Sequence, residues 1–249
     1  MNTYFISQED VEAEDILIKG ELFHHLSRVL RIKTGDKLHF SDNNIHTYDG
    51  EVVEITKESI KVNIENIAGI TGEPPLDVYL IQCLPRGDKM EQIIQKCTEL
   101  GVGRLIAAES DNSQVRLKNK AKEKEERYSK IAAAAAEQCG RGKIPQVMTA
   151  SSLDKALAYL SPDTKIIFCY EKEVRNSLKT ELQKTENRSI ALVIGPEGGF
   201  SSREAQLIMA SGGVAVTMGP RILRTETAGP CGLAALMYEK GDWGSIVEN

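Results

Sequence analysis

Hydrophobic and polar positions alternate with a period of two over much of the first seventy residues, then give way to a strand–helix rhythm. Segments 37–40, 47–55 and 60–67 are short and alternating, so they predict strands, with Asp42-Asn43-Asn44 and Asp49-Gly50 as turn signals. One helix is expected among them over about 21–31, where Leu22, Leu26, Val29 and Leu30 share a face at helical spacing. The stretch 69–75 (GITGEPP) has no periodicity and reads as a linker.

Beyond the linker, 76–83, 104–108, 165–170, 189–194 and 213–218 are apolar runs of buried-strand type. Helices are predicted over about 88–100, 120–139, 152–160, 173–186, 202–211 and 226–239. In the first of these, Asp88 and Glu91 form a capping-box-like pair and Gly101 stops the helix. Met90, Ile93, Ile94, Cys97 and Leu100 are its apolar stripe. Strands alternating with helices imply a parallel sheet covered on both faces. The expected division is therefore a β-rich domain at 1–70 and an α/β domain at 76–249.

Bulk properties narrow the function. The 249 residues are 41% hydrophobic and 27% charged, as in ordinary soluble proteins. No apolar run approaches the roughly 20 residues of a membrane span, and the N-terminus has no secretory pattern. Cys83, Cys97, Cys139, Cys169 and Cys231 lie in apolar segments without a CxxC pair, so neither a disulfide framework nor a metal site is expected and a cytoplasmic setting fits. A net charge of −5 excludes an indiscriminate nucleic-acid coat but not local RNA contacts. His24, Arg28 and Arg31 fall at i, i+4 and i+7 on the exposed side of the first helix, which suggests a phosphate-contact face or a solvated one.

Two loops carry the candidate chemistry. Residues 193–204 (VIGPEGGFSSRE) run from a strand into a loop with Gly195, Gly198 and Gly199, then into a helix capped by Ser201 or Ser202. Such glycines let backbone approach a ligand closely, and the carboxyl end of a parallel strand is where ligands sit. The pattern is neither GxGxxG nor a P-loop. Residues 218–228 (MGPRILRTETA) place Arg221, Arg224 and Glu226 in a loop that opens the last helix. Two guanidinium groups at a strand's carboxyl end are costly to bury unless paired, so they point to an anionic ligand or to Glu226.

These two loops resemble the signature loops of the SPOUT methyltransferases. Within that class the chain resembles the bacterial 16S rRNA uracil-N3 methyltransferase family. Residues 25–31 (HLSRVLR) with 34–36 (TGD), 88–91 (DKME) with 95–102 (QKCTELGV), and 127–131 (RYSKI) with 135–141 (AAEQCGR) match further family motifs in order, over nearly the whole chain. Asp111-Asn112-Ser113 departs from the family's usual Glu-Arg-Ser, which removes one arginine.

The resemblance implies an N-terminal PUA-like RNA-binding β-barrel and a C-terminal α/β domain with a deep trefoil knot that binds S-adenosylmethionine (SAM). It implies a homodimer acting on 16S rRNA of the small ribosomal subunit. Donor contacts are expected from Tyr170, Ile194, Gly195, Pro196, Gly199, Met218, Gly219 and Leu223. For chemistry, Arg224 occupies the position of the loop's acceptor-facing polar residue and Arg221 is the second candidate. Glu197 or Glu226 is the candidate base, or else orients the arginines, with Glu197 favoured as the base. An Arg at 224, where ribose 2′-hydroxyl SPOUT enzymes carry Asn, favours base methylation. The intact Gly195, Glu197, Gly199, Gly219 and Arg224 argue against a non-catalytic assembly factor.

Overall fold

The computed structural model describes residues 2–244. The chain forms two compact units. One is built from residues up to Glu73 together with Ala136–Ile144, and the other from Pro74–Ala135 and the chain from Pro145 onward.

The first unit contains, among the described residues, a six-stranded sheet. Its order is β1 (Thr3–Phe5), β4 (Lys37–Ser41), β5 (His46–Ile55), β6 (Ile60–Gly69), β3 (Asp15–Ile18) and β2 (Val11–Glu12). Only β1 and β4 pair in parallel. The alternation read from the sequence sends Leu38, Phe40, Tyr48, Val52, Ile60 and Val62 into the core beside Ile16 and Ile18. Strands β1, β2 and β3 were not legible, because runs of two to four residues are too short for a period of two to register.

Gly50 is not in a turn. It lies within β5 beside a register shift, where an added Cβ would come 2.6 Å from the Asn63 carbonyl oxygen. A bulge needs such a residue, since the two backbones approach closely there.

The expected first helix is also corrected. Helix α1 (Gly20–His24) passes into a π-helical turn over His25–Val29. The wider turn shifts the helical phase. Phe23 and Leu26 therefore enter the core, whereas Val29 and Leu30 face solvent at 67% and 43% exposure. Arg31 follows the helix on left-handed backbone, φ 54°, so it is not a third residue on one helical stripe. His24, Arg28 and Arg31 are nevertheless all exposed.

The second unit is an α/β layer. Its sheet runs β12 (Val214–Val216), β10 (Lys165–Cys169), β11 (Ser189–Ile194), β7 (Asp77–Cys83), β8 (Arg104–Ala108) and β9 (Gln146–Ala150), with every ladder parallel. The apolar runs of β7 and β11 are those of strands covered on both faces. Strand β9, diluted by Gln146 and Thr149, was not predicted. Helices α2 (Lys89–Glu99), α5 (Leu178–Lys184) and α7 (Thr225–Lys240) pack together, as do α4 (Leu153–Leu157) and α6 (Ser202–Ala210). Helix α3 (Ala121–Cys139) starts in this unit, and its residues from Ala136 belong to the first.

Several local expectations shift. Asp88 is the N-cap of α2 but makes no side-chain cap bond. Helix α5 begins only at Leu178, because the Glu173 carboxylate accepts the N–H groups of Arg175 and Asn176 in a turn and Ser177 caps the helix. Cys139 and Cys231 are exposed, whereas Cys83 and Cys97 are buried. No helix among the described residues is long and apolar enough to cross a membrane.

Candidate active site at the carboxyl ends of three parallel strands

Strands β10, β11 and β12 end side by side, and the three segments that follow them enclose one cavity of about 710 Å³. Tyr170 leaves β10. Ile194, Gly195, Pro196, Glu197 and Gly199 leave β11. Met218, Gly219, Arg221, Leu223 and Arg224 lie between β12 and α7. Every residue expected to meet the donor lines this one cavity, as do Arg221, Arg224 and Glu197, whereas Glu226, the other candidate base, does not. His24, Arg28 and Arg31 belong to the other unit.

The glycine loop is held from outside by the segment after β8. The Asn112 side-chain amide donates to the carbonyls of Gly199 (3.0 Å) and Gly198 (3.3 Å). Gly199 takes φ 67°, and an added Cβ would sit 2.8 Å from Glu171 Oε1. Ser201 caps α6 in a capping box with Glu204. The buried Glu204 carboxylate accepts the N–H groups of Ser201 and Asp111. The Asp111 carboxylate in turn accepts from Ser201 Oγ and from Arg203 at two atoms. A loop of three glycines carries a large entropy of ordering, and these bonds fix it before any ligand arrives.

Glu197 forms no ion pair with Arg221 or Arg224. Its carboxylate accepts the Arg86 N–H at 3.0 Å and pairs with Lys89 Nζ at 3.3 Å, while Lys89 also lies 3.2 Å from Glu226. Burial by itself would raise the Glu197 carboxyl. The N–H groups of Arg86 and Glu197 and the Lys89 ammonium outweigh it and hold the group below its ordinary range. The Lys89 ammonium is pushed up, above all by its hydrogen bond to Glu226. Arg221 and Arg224 make no ion pair with any described residue, so their guanidinium groups remain available to a ligand. Cys169 also lines the cavity, but burial pushes its thiol up to about 12, so it is protonated and not nucleophilic at neutral pH.

Residues 72–237 match the RNA methyltransferase domain family, and residues 18–65 match the RNA methyltransferase PUA domain family. The ribosomal RNA small subunit methyltransferase E of Bacillus subtilis is 35% identical, over 96% of this chain and 97% of its own. The chain belongs to the ribosomal RNA small subunit methyltransferase E family. A family member from Neisseria gonorrhoeae, solved bound to S-adenosyl methionine, superposes with a TM-score of 0.85 at 27% identity, covering 98% of this chain and 99% of that one. A methyltransferase of Legionella pneumophila, solved with SAM, gives 0.84 at 29% identity, covering 96% and 98%.

Within this family frame, the sequence reading missed Lys89, Asn112 and Thr225. All three stand in the segments 88–91, 111–113 and 218–228, yet nothing local tells which distant partner a side chain will reach. Asn112 lies 86 and 87 positions from its partners.

Proposed function

We propose that this protein transfers the methyl group of SAM to N3 of a uracil in 16S rRNA of the small ribosomal subunit. The convergence of the glycine loop and two available arginines on one cavity carries the reading. The cavity's size lies within the 300–1,000 Å³ usual for small-molecule sites. Gly195, Gly199 and Gly219 leave backbone open to a close-packed ligand, and the exposed mouth carries Arg221 and Arg224. Ile194, Gly195, Pro196, Gly199, Met218, Gly219, Leu223 and Tyr170 would hold the donor.

SAM supplies a methyl group already activated on sulfonium, so the difficulty lies with the acceptor. Uracil N3 is protonated at neutral pH, and removing the proton spreads negative charge onto O2 and O4. Arg224, with Arg221 beside it, stabilises that charge and lowers the acceptor's pKa. Glu197 is ionised and can take the N3 proton, but its depressed pKa makes it a weak base. The arginines therefore carry the larger share of the activation, and Lys89 keeps the two carboxylates from repelling the anionic base.

The PUA-like unit holds RNA through His24, Arg28 and Arg31. The protein works in the cytoplasm as a homodimer with its sites near the subunit interface. The α/β unit carries a deep trefoil knot. In such a knot the last helix is part of the threaded segment, and α7 leads back from the edge strand β12 to pack against β11, β7, α2 and α5.

The experiment is methylation of 16S rRNA and of small subunits from a strain lacking the family enzyme, using methyl-labelled SAM and mass spectrometry of the digested nucleosides. The expected product is 3-methyluridine. A 2′-O-methyl product would overturn base methylation, and SAM binding without transfer would make the protein an assembly factor.

A further inference from the structure

Underneath the cavity, a buried hydrogen-bond chain joins the glycine loop to the start of α7. Gln82 is fully buried on β7, opposite Ile194 in the ladder. Its amide nitrogen lies 2.8 Å from Thr225 Oγ1 and 3.1 Å from the Cys83 carbonyl, and Thr225 Oγ1 lies 2.6 Å from the Gly195 carbonyl. Chemistry fixes the direction. A carbonyl only accepts, so Thr225 donates its single proton to Gly195 and must accept from Gln82. Gln82 therefore turns its NH₂ to this chain.

That orientation leaves Gln82 Oε1 buried with no hydrogen-bond partner among the described residues. It points toward Gly229 of α7, where an added Cβ would sit 2.8 Å from it. A buried amide oxygen without a partner is costly. The two bonds its NH₂ donates are offset by this cost, so stability alone does not single out a glutamine here.

The two ends of the chain explain it better. Gly195 opens the loop that would hold the donor. Thr225 directly follows Arg224, the N-cap of α7 and the group that would face the acceptor. We propose that Thr225, oriented by Gln82, is a positioning residue for methyl transfer. It locks the loop after β12 to the loop after β11 and so fixes Arg224 relative to the methyl group. The inference rests on the methyltransferase reading of the site. A misplacement of about 1 Å is enough to cost on the order of 10²-fold in rate.

The test compares Thr225→Val, Thr225→Ser and Gln82→Met in the full chain. Each is measured for SAM affinity by calorimetry, for kcat and KM on 16S rRNA, and for melting temperature. Thr225→Val should lower kcat 10- to 100-fold while SAM affinity changes less than about 3-fold. Thr225→Ser, which keeps the hydroxyl, should restore kcat to within about 3-fold. Gln82→Met should lower kcat although its melting temperature is unchanged or raised, a combination that a purely structural role would not give. Wild-type kcat in both Thr225→Val and Gln82→Met would overturn the inference, as would parallel losses of kcat, SAM affinity and melting temperature in both. If Thr225→Val does not fold, Gln82→Met decides alone. Wild-type protein that binds SAM but methylates no RNA would instead overturn the reading of the site.

Discussion

Asn112 donates from one side-chain amide to the carbonyls of both Gly199 and Gly198, at 3.0 and 3.3 Å, and so closes the outer edge of the glycine loop. The residue that departs from the family pattern thus has a definite task here, bracing backbone rather than supplying charge. Asn112→Ala should weaken SAM binding about 5-fold, equivalent to about 1 kcal/mol for a lost amide–carbonyl interaction. Isothermal calorimetry reads this directly, and unchanged affinity would mean that the loop is held without Asn112.

Gly195 faces the Phe200 ring, with an added Cβ at 3.3 Å from the nearest ring carbon. Gly195→Val should therefore push branched methyl groups into the cavity or displace Phe200, and abolish SAM binding. If the methyl groups enter the cavity the melting temperature should stay close to wild type, whereas a fall would show that the core residue Phe200 has moved instead. Binding at wild-type affinity would refute the placement of the donor against this glycine.

Arg224→Ala should leave SAM affinity nearly intact and lower the methylation rate by about 10²-fold or more, the usual loss for one preorganised donor to a developing oxyanion. Lysine should rescue only in part, since a point charge lacks the planar fork. The defect should shrink as pH rises and solvent does more of the deprotonation. Equal losses in SAM binding and rate would pass the catalytic role to Arg221.

The Lys89 pair with Glu197 and Glu226 predicts a pH-dependent stability change. Glu197 titrates below its ordinary value in the folded state, so its stabilisation is present above the unfolded carboxylate pKa, about 4.3, and is lost as pH falls through the folded value. Lys89→Met leaves the two carboxylates facing each other without a counter-ion. The variant should be less stable than wild type in urea at pH 7, and the difference should narrow as pH falls below about 4 and Glu197 protonates. A difference independent of pH would show that lost packing, and not charge, is responsible.

Replacing Arg28 and Arg31 together with alanine should weaken RNA binding without changing SAM affinity. The slope of log K against log salt should become shallower by up to about 2, one for each phosphate contact removed. Filter binding over a salt series measures it. An unchanged slope would make these exposed side chains a solvated face.

The sequence by itself determined the longer strands and helices, the change from β-rich to α/β near residue 70, and the two loops that carry chemistry, but not β1, β2, β3 or β9. Periodicity and glycine placement are local properties, and a buried parallel strand followed by a glycine loop declares itself within about ten residues. Even the expected donor contacts were legible, because they sit on the segments that follow buried strands, whereas Lys89 and Thr225, which also line the cavity, were not. Tertiary structure decided the partnerships. Glu197 pairs with Lys89 and not with the arginines, Asn112 reaches the glycine loop, and Thr225 joins Gly195 to Gln82. Each of these joins residues at least thirty positions apart, and only the strand order brings them together. The same holds for backbone detail. The π-helical turn that exposes Val29 and the bulge that needs Gly50 arise from fitting elements to one core, a constraint that no local pattern contains.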